Sequence, residues 1–230
     1  MPSFATRSRS VLSAIAGLVG AMLAPAGASA LDLRHVEHPG MSVVEVRGTI
    51  EAGDTNRLQQ FIGRLPQDRA IAVNLLSPGG NVEEALHMGR YFQANNIATY
   101  VRGPGARCLS ACAMAFLGGR DENGATFRVK GRDAQLGYHA FRRIEDDREY
   151  TIRDMQRATA HAQDVLLKIA DYFVAVDADI EFMSMMLEAP SEGMNYLAND
   201  KALTIGVHVL DERTGRIAKP VPASLVQRKR

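Results

Sequence analysis

Residues 71–80 constrain the fold more than any other stretch. Ile71 to Leu76 is a short, continuous apolar run, the pattern of a strand buried on both faces. Ser77-Pro78-Gly79-Gly80 breaks it at once, and Asn81 to Gln93 then shows helical spacing. Asn81 takes the N-cap, Glu83 and Glu84 the first turn, and Val82, Ala85, Leu86, Met88 and Gly89 the inner side. A strand that feeds a helix through a glycine turn points to an α/β sheet with short crossovers.

The alternation continues along the chain. Met41 to Arg47 reads as a strand, Asn56 to Leu65 as a helix and Ala98 to Arg102 as a strand. Ser110 to Leu117 reads as a small-residue helix closed by Gly118-Gly119. Phe127 to Lys130 and Gln135 to His139 read as short strands. Ile152 to Val176 is one long amphipathic helix, with Val165, Ile169 and Phe173 on one stripe. Helices over Asp179 to Leu187 and Tyr196 to Ile205 and a last strand over Val207 to Leu210 complete an α/β fold. His35 and His38 fall in a loose N-terminal segment and receive no role, and no internal repeat is visible.

The first thirty residues differ from the rest. Arg7 and Arg9 precede an uncharged apolar run from Val11 to Ala24, and Ala28-Ser29-Ala30 forms a small-residue cleavage signal. This is the layout of a bacterial secretory signal peptide, which places the protein in the periplasm. The alternative is a retained inner-membrane anchor, although the run falls short of the roughly 20 residues that span a bilayer. The expected organisation is therefore a signal peptide over 1–30, one α/β domain over 31–210 and a basic tail over 211–230. A net charge of +1 gives no reason to expect nucleic acid. The two cysteines, Cys108 and Cys112, are too few for a zinc site, and no metal or cofactor is expected. An oxidising compartment permits them a disulfide, and four residues of regular helix would bring their Cα atoms within about 6 Å. Such a bridge would rigidify the turn around Ser110.

Three segments carry candidate chemistry. Gly79 and Gly80 let the backbone turn sharply at a helix N-terminus and expose N–H groups that could hold a developing oxyanion. An ordinary strand–helix turn would use the same residues. Ser110 begins a helix of small residues, where a serine is either a nucleophile or a plain N-cap. His139 lies in a short apolar strand, as a base or as a satisfied core residue.

Together these segments resemble the Clp protease proteolytic subunit and its relatives in the Clp/crotonase superfamily, nearest the exported periplasmic branch. Asn74 to Val82 is similar to that family's "N-x-x-SPGG-x-V" turn. Cys108 to Gly119 is similar to the branch's "C-x-S-A-C-A-x-A-F-L-G-G" helix start. His139 stands where the family has its histidine, with Ala140 in place of the usual glutamine, and Leu197 to Val207 loosely matches a later segment. The resemblance covers about residues 41–210. It implies a superhelix of ββα units with a long helix after the catalytic strand, and a serine peptidase acting on polypeptide or short peptides. Ser110 would be the nucleophile and His139 the general base, with Gly79, Gly80 and Ala111 forming the oxyanion hole. It also implies a homo-oligomer packed through the long helix. No ATPase partner is expected, because the periplasm lacks ATP. The family's third triad residue is an aspartate, and this chain departs there: Glu188 is the nearest carboxylate, either orienting the imidazole or merely solvated at a helix end. Loss of that residue leaves a second reading, a catalytically inactive binding or scaffolding protein. A cysteine nucleophile is the rival to Ser110, and acyl-CoA chemistry conflicts with export.

Overall fold

Five parallel strands form the middle of a seven-stranded sheet, and an antiparallel strand closes each edge. The computed structural model describes residues 31–140, 150–190 and 193–221. The expected signal peptide, residues 142–149 of the charged stretch, Glu192 and the last residues of the basic tail lie outside the described residues.

In chain order the elements are β1 (Asp32–His38), β2 (Met41–Arg47), α1 (Asp54–Ile62), β3 (Ala70–Leu76), α2 (Val82–Ala94), β4 (Ala98–Val101), β5 (Arg107–Leu109) and α3 (Ala111–Phe116). There follow β6 (Arg128–Gly131), β7 (Gln135–Tyr138), α4 (Ile152–Ala175), α5 (Glu181–Leu187), β8 (Asn195–Tyr196), α6 (Asn199–Thr204), β9 (His208–Asp211) and β10 (Arg216–Ala218). The large sheet runs β1-β2-β3-β4-β6-β9-β10, and a small separate sheet runs β5-β7-β8. The molecule is thus mixed α/β with a mostly parallel central sheet.

Several segments differ from the sequence reading: strand β5 had no counterpart in it, and the helix read over Tyr196 to Ile205 is strand β8 followed by the shorter α6. The stretch holding His35 and His38 is strand β1, paired with β2 from Asp32↔Arg47 to His38↔Met41. Its charged residues face solvent, as suits an edge strand protected from further pairing, and this polarity hid it from a search for apolar alternation. The sheet also runs on past residue 210: β9 ends at Asp211, and β10 returns within the segment read as tail.

The helices pack closely because their contact points are small. A Cβ on Gly118 would collide with the Gly89 backbone, so α2 and the end of α3 touch main chain to main chain. Tyr172 of α4 lies across Gly89 and donates its hydroxyl to the Met114 carbonyl at 2.8 Å. All six residues of α3 are buried. Helix α3 is therefore wedged between α2 and α4 rather than laid on the surface.

The start of α2 is fixed with equal care. Asn81 caps it by accepting from Glu84 N at 3.0 Å. The Glu84 carboxylate in turn accepts the N–H groups of Gly53 (3.0 Å) and Thr55 (2.6 Å) at the start of α1. Burial alone would raise the Glu84 pKa, but the hydrogen bonds from Thr55 and Gly53 outweigh it and hold the carboxyl below its ordinary 4.5. A carboxyl depressed on folding stabilises the fold fully above its unfolded pKa and loses that contribution as pH falls through the folded value. Glu84→Gln is therefore expected to cost about 1 kcal/mol at neutral pH. The gap from wild type should close as pH falls from about 4.5 through the folded value, which thermal melts at several pH values check.

Candidate active site

Ser110 stands between the end of β5 and the start of α3, and its backbone is the most unusual in the described chain. Three non-glycine residues have positive φ: Asn96 (52°), Asp177 (52°) and Ser110 (57°). Asn and Asp are the residue types that tolerate this region, and each follows a helix C-terminus. Serine has no such excuse, and at Ser110 the ψ of −126° lies outside the left-handed helical basin altogether. Such a conformation costs about 1–3 kcal/mol and persists only where the surroundings impose it. A strained strand-to-helix turn is the setting in which a nucleophile elbow exposes its serine hydroxyl.

The surroundings that impose it are specific. Ser110 N–H donates to the Gly137 carbonyl of β7 at 2.9 Å, and Leu109 N–H to the Ser77 carbonyl at 3.0 Å. Gly79 presses from the other side: a Cβ there would lie 2.8 Å from Ser110 Cβ and 2.7 Å from the Leu109 carbonyl. Ser110 Oγ does not cap α3. The N-cap alternative for this serine therefore has no hydrogen bond to support it.

β5 and β7 are parallel neighbours, with Leu109 opposite Gly137. Ser110 and His139 consequently emerge at the same end of the small sheet. No hydrogen bond joins them among the described residues. His139 is half-buried, and its Nδ1 lies 2.6 Å from the Ala140 carbonyl. A carbonyl only accepts, so Nδ1 carries a proton, and in the neutral tautomer the lone pair lies on Nε2.

The N–H groups behind Ser110 divide into free and engaged. Gly79 N–H donates to Ser77 Oγ at 3.0 Å and so is not a free donor; its part is steric. Gly80 and Ala111 N–H have no hydrogen-bond partner among the described residues. Gly80 is fixed by a bridge to Ile50: Ile50 N–H donates to Gly79 O and Asn81 N–H to Ile50 O, both at 2.8 Å. Its φ is 140°, and a Cβ would collide with the Ile50 carbonyl. Ala111 N lies 3.1 Å from the position a Gly79 Cβ would occupy, so the two free donors flank the same corner.

Glu188 is the C-cap of α5, exposed, and makes no hydrogen bond to His139 among the described residues. Cys108 and Cys112 form a disulfide, with Cα atoms 5.2 Å apart and both residues fully buried. Cys108 lies in β5, so the bridge ties the strand before Ser110 to the helix after it. The cysteine-nucleophile rival loses its free thiol. A loop this short restricts the unfolded chain by about 2 kcal/mol in the chain-entropy treatment. Native protein is expected to resist dithiothreitol, since neither sulfur is accessible. The Cys108→Ala/Cys112→Ala variant is expected to melt at lower temperature and to react far more slowly at Ser110. Thiol titration and calorimetry check this. Among the described residues no group of His, Cys, Asp and Glu is placed to hold a metal ion.

Sequence reasoning missed the Gly137 carbonyl as the anchor of Ser110, and Ser77 Oγ as the partner of Gly79. The nearest signal was Gly137 itself, two residues before His139. A Cβ there would collide with the Met194 side chain and meet Leu109 Cδ2 at 3.0 Å, so a larger residue would need those side chains to shift. No protein-family model matches the chain, and no curated protein matches it.

Proposed function

We propose that this chain is an exported, ATP-independent serine hydrolase of Clp-like architecture, acting on polypeptides or short peptides through an acyl-enzyme. The observation that carries the reading is the strained, uncapped Ser110 wedged between Gly79 and the Gly137 carbonyl. Ser110 Oγ attacks the scissile carbonyl carbon, and His139 Nε2 takes its proton and returns it to the leaving amine. The Ala140 carbonyl orients the imidazole in the place a carboxylate would take. The oxyanion forms against the N–H groups of Gly80 and Ala111, which need no reorganisation to receive it. Water then attacks the acyl carbon, with His139 again as base, and regenerates Ser110.

The buried disulfide supports an oxidising compartment such as the periplasm. No helix among the described residues is long and apolar enough to cross a membrane. The long α4 carries exposed Ile152, Met155, Leu167 and Val174, which would suit packing between subunits of a homo-oligomer. The test is labelling with a fluorophosphonate probe. Wild type is expected to label, and Ser110→Ala and His139→Ala are not. A folded wild type that does not label would make the chain a binding protein.

A further inference from the structure

A cavity of about 380 Å³ opens at the C-terminal ends of β2, β3 and β4. This is the end of a parallel sheet where ligands bind, and the volume lies in the range of small-ligand pockets. Its wall includes Ser77, Pro78 and Leu109. It therefore begins one residue from the nucleophile on one side and one residue from Gly79 on the other.

Three arginines line it, Arg47, Arg102 and Arg107, against one carboxylate, Glu45. Glu45 is used up by Arg47, whose Nε and Nη2 both donate to Glu45 Oε2, at 3.2 and 3.0 Å. Arg102 and Arg107 have no carboxylate partner among the described residues. Arg102 is held in place. The buried Asn74 side chain clasps its backbone, donating to the Arg102 carbonyl at 3.1 Å and accepting from Arg102 N–H at 3.0 Å. Asn74 thus ties the chain just past β4 to β3, and its buried amide is committed to fixing the cavity wall. The Arg102 guanidinium lies 5.8 Å from the centre of the Tyr100 ring, which limits where its plane can point. Gly103-Pro104-Gly105 then turns the chain back toward β5, with Gly103 N–H held by Glu212 at 2.7 Å. A positioned guanidinium without a partner, beside a second one, matches a carboxylate in shape and charge.

We infer that this cavity is a substrate subsite for a carboxylate, carried by the peptide either as an acidic side chain or as its C-terminus. The assignment rests on the serine-hydrolase reading for its role but not for its test. Binding is measured with the Ser110→Ala protein, by calorimetry, using three short alanine-rich peptides. One is capped at both ends and carries a central aspartate; the second has asparagine in its place; the third is the asparagine peptide with a free C-terminus. The aspartate peptide or the free-carboxylate peptide is expected to bind about tenfold or more tightly than the capped asparagine peptide, as one charge-assisted contact implies. Which of the two gains identifies the source of the carboxylate. In Arg102→Gln/Arg107→Gln that preference is expected to vanish, and Arg107→Glu, at an exposed position that tolerates change, to weaken the preferred peptide below the neutral one. Equal binding of all three peptides, or a preference that survives both variants, overturns the assignment. A preference lost in the variants while wild type fails to label with fluorophosphonate would sink the hydrolase reading and leave the subsite standing.

Discussion

Gly80→Ala is expected to lower stability by at least about 3 kcal/mol and to abolish reaction at Ser110. Two penalties combine. The φ of 140° is a conformation that side chains avoid, and the added Cβ would meet the Ile50 carbonyl, with Ile50 N 2.9 Å away. Backbone cannot rotate aside as a long side chain can, so the Gly80 turn or the strand end at Ile50 must move. Either movement displaces the Gly80 N–H from the oxyanion corner. Gly105→Ala is the control: its φ is +64°, but nothing lies within 4 Å of the added carbon. It is expected to cost only the conformational term, about 1 kcal/mol. For a domain of this size 1 kcal/mol corresponds to about 2–4 °C, so the two variants should separate by several degrees in a thermal melt. Gly80→Ala melting together with Gly105→Ala, with full labelling at Ser110, would mean that Ile50 does not clamp this turn.

The clamp also shows which parts of the molecule were legible in sequence. The unit from Ile71 to Gln93 was readable because every signal in it is local. An apolar run, a glycine break, a capping Asn81 and an inner face at helical spacing lie within one stretch, and β3 and α2 follow. The same holds for α4, where Val165, Ile169 and Phe173 repeat on one stripe and are buried as expected. What could not be read is what depends on pairing across long separations. The small sheet joins β5, β7 and the two-residue β8, and none of these is long enough to show a period. The strained backbone of Ser110 was invisible for the same reason. It is imposed by Gly79, thirty-one positions earlier, and by Gly137, twenty-seven later, and not by its neighbours in the chain. Residue identity thus singled out Ser110, while its strained backbone is a property of the fold alone.

The largest effects on rate are expected at Ser110 and His139, and the smallest at Glu188. In the proposed mechanism Ser110→Ala removes the atom that bonds to the acyl carbon, and His139→Ala removes its base. Where such groups act as a unit, losing either lowers kcat by about 10⁴-fold or more, and losing both costs little beyond losing one. Glu188→Gln tests the third member. If Glu188 oriented the imidazole, neutralising it would favour the wrong tautomer and cost about 10⁴-fold, as loss of a triad aspartate does. In the proposed mechanism that task falls to the Ala140 carbonyl, 2.6 Å from His139 Nδ1, while Glu188 is exposed at the end of α5. Glu188→Gln is therefore expected to retain activity within about threefold across the pH profile, since an exposed charge acts on a half-buried imidazole only through screened solvent. A loss of a thousandfold, with folding intact, would return the carboxylate to the site. It would require α5 to move its C-terminal end toward His139 when substrate binds. Retained activity would instead define a dyad whose base is oriented by main chain. No substitution at Ala140 could then remove the orienting group, since every residue supplies the same carbonyl.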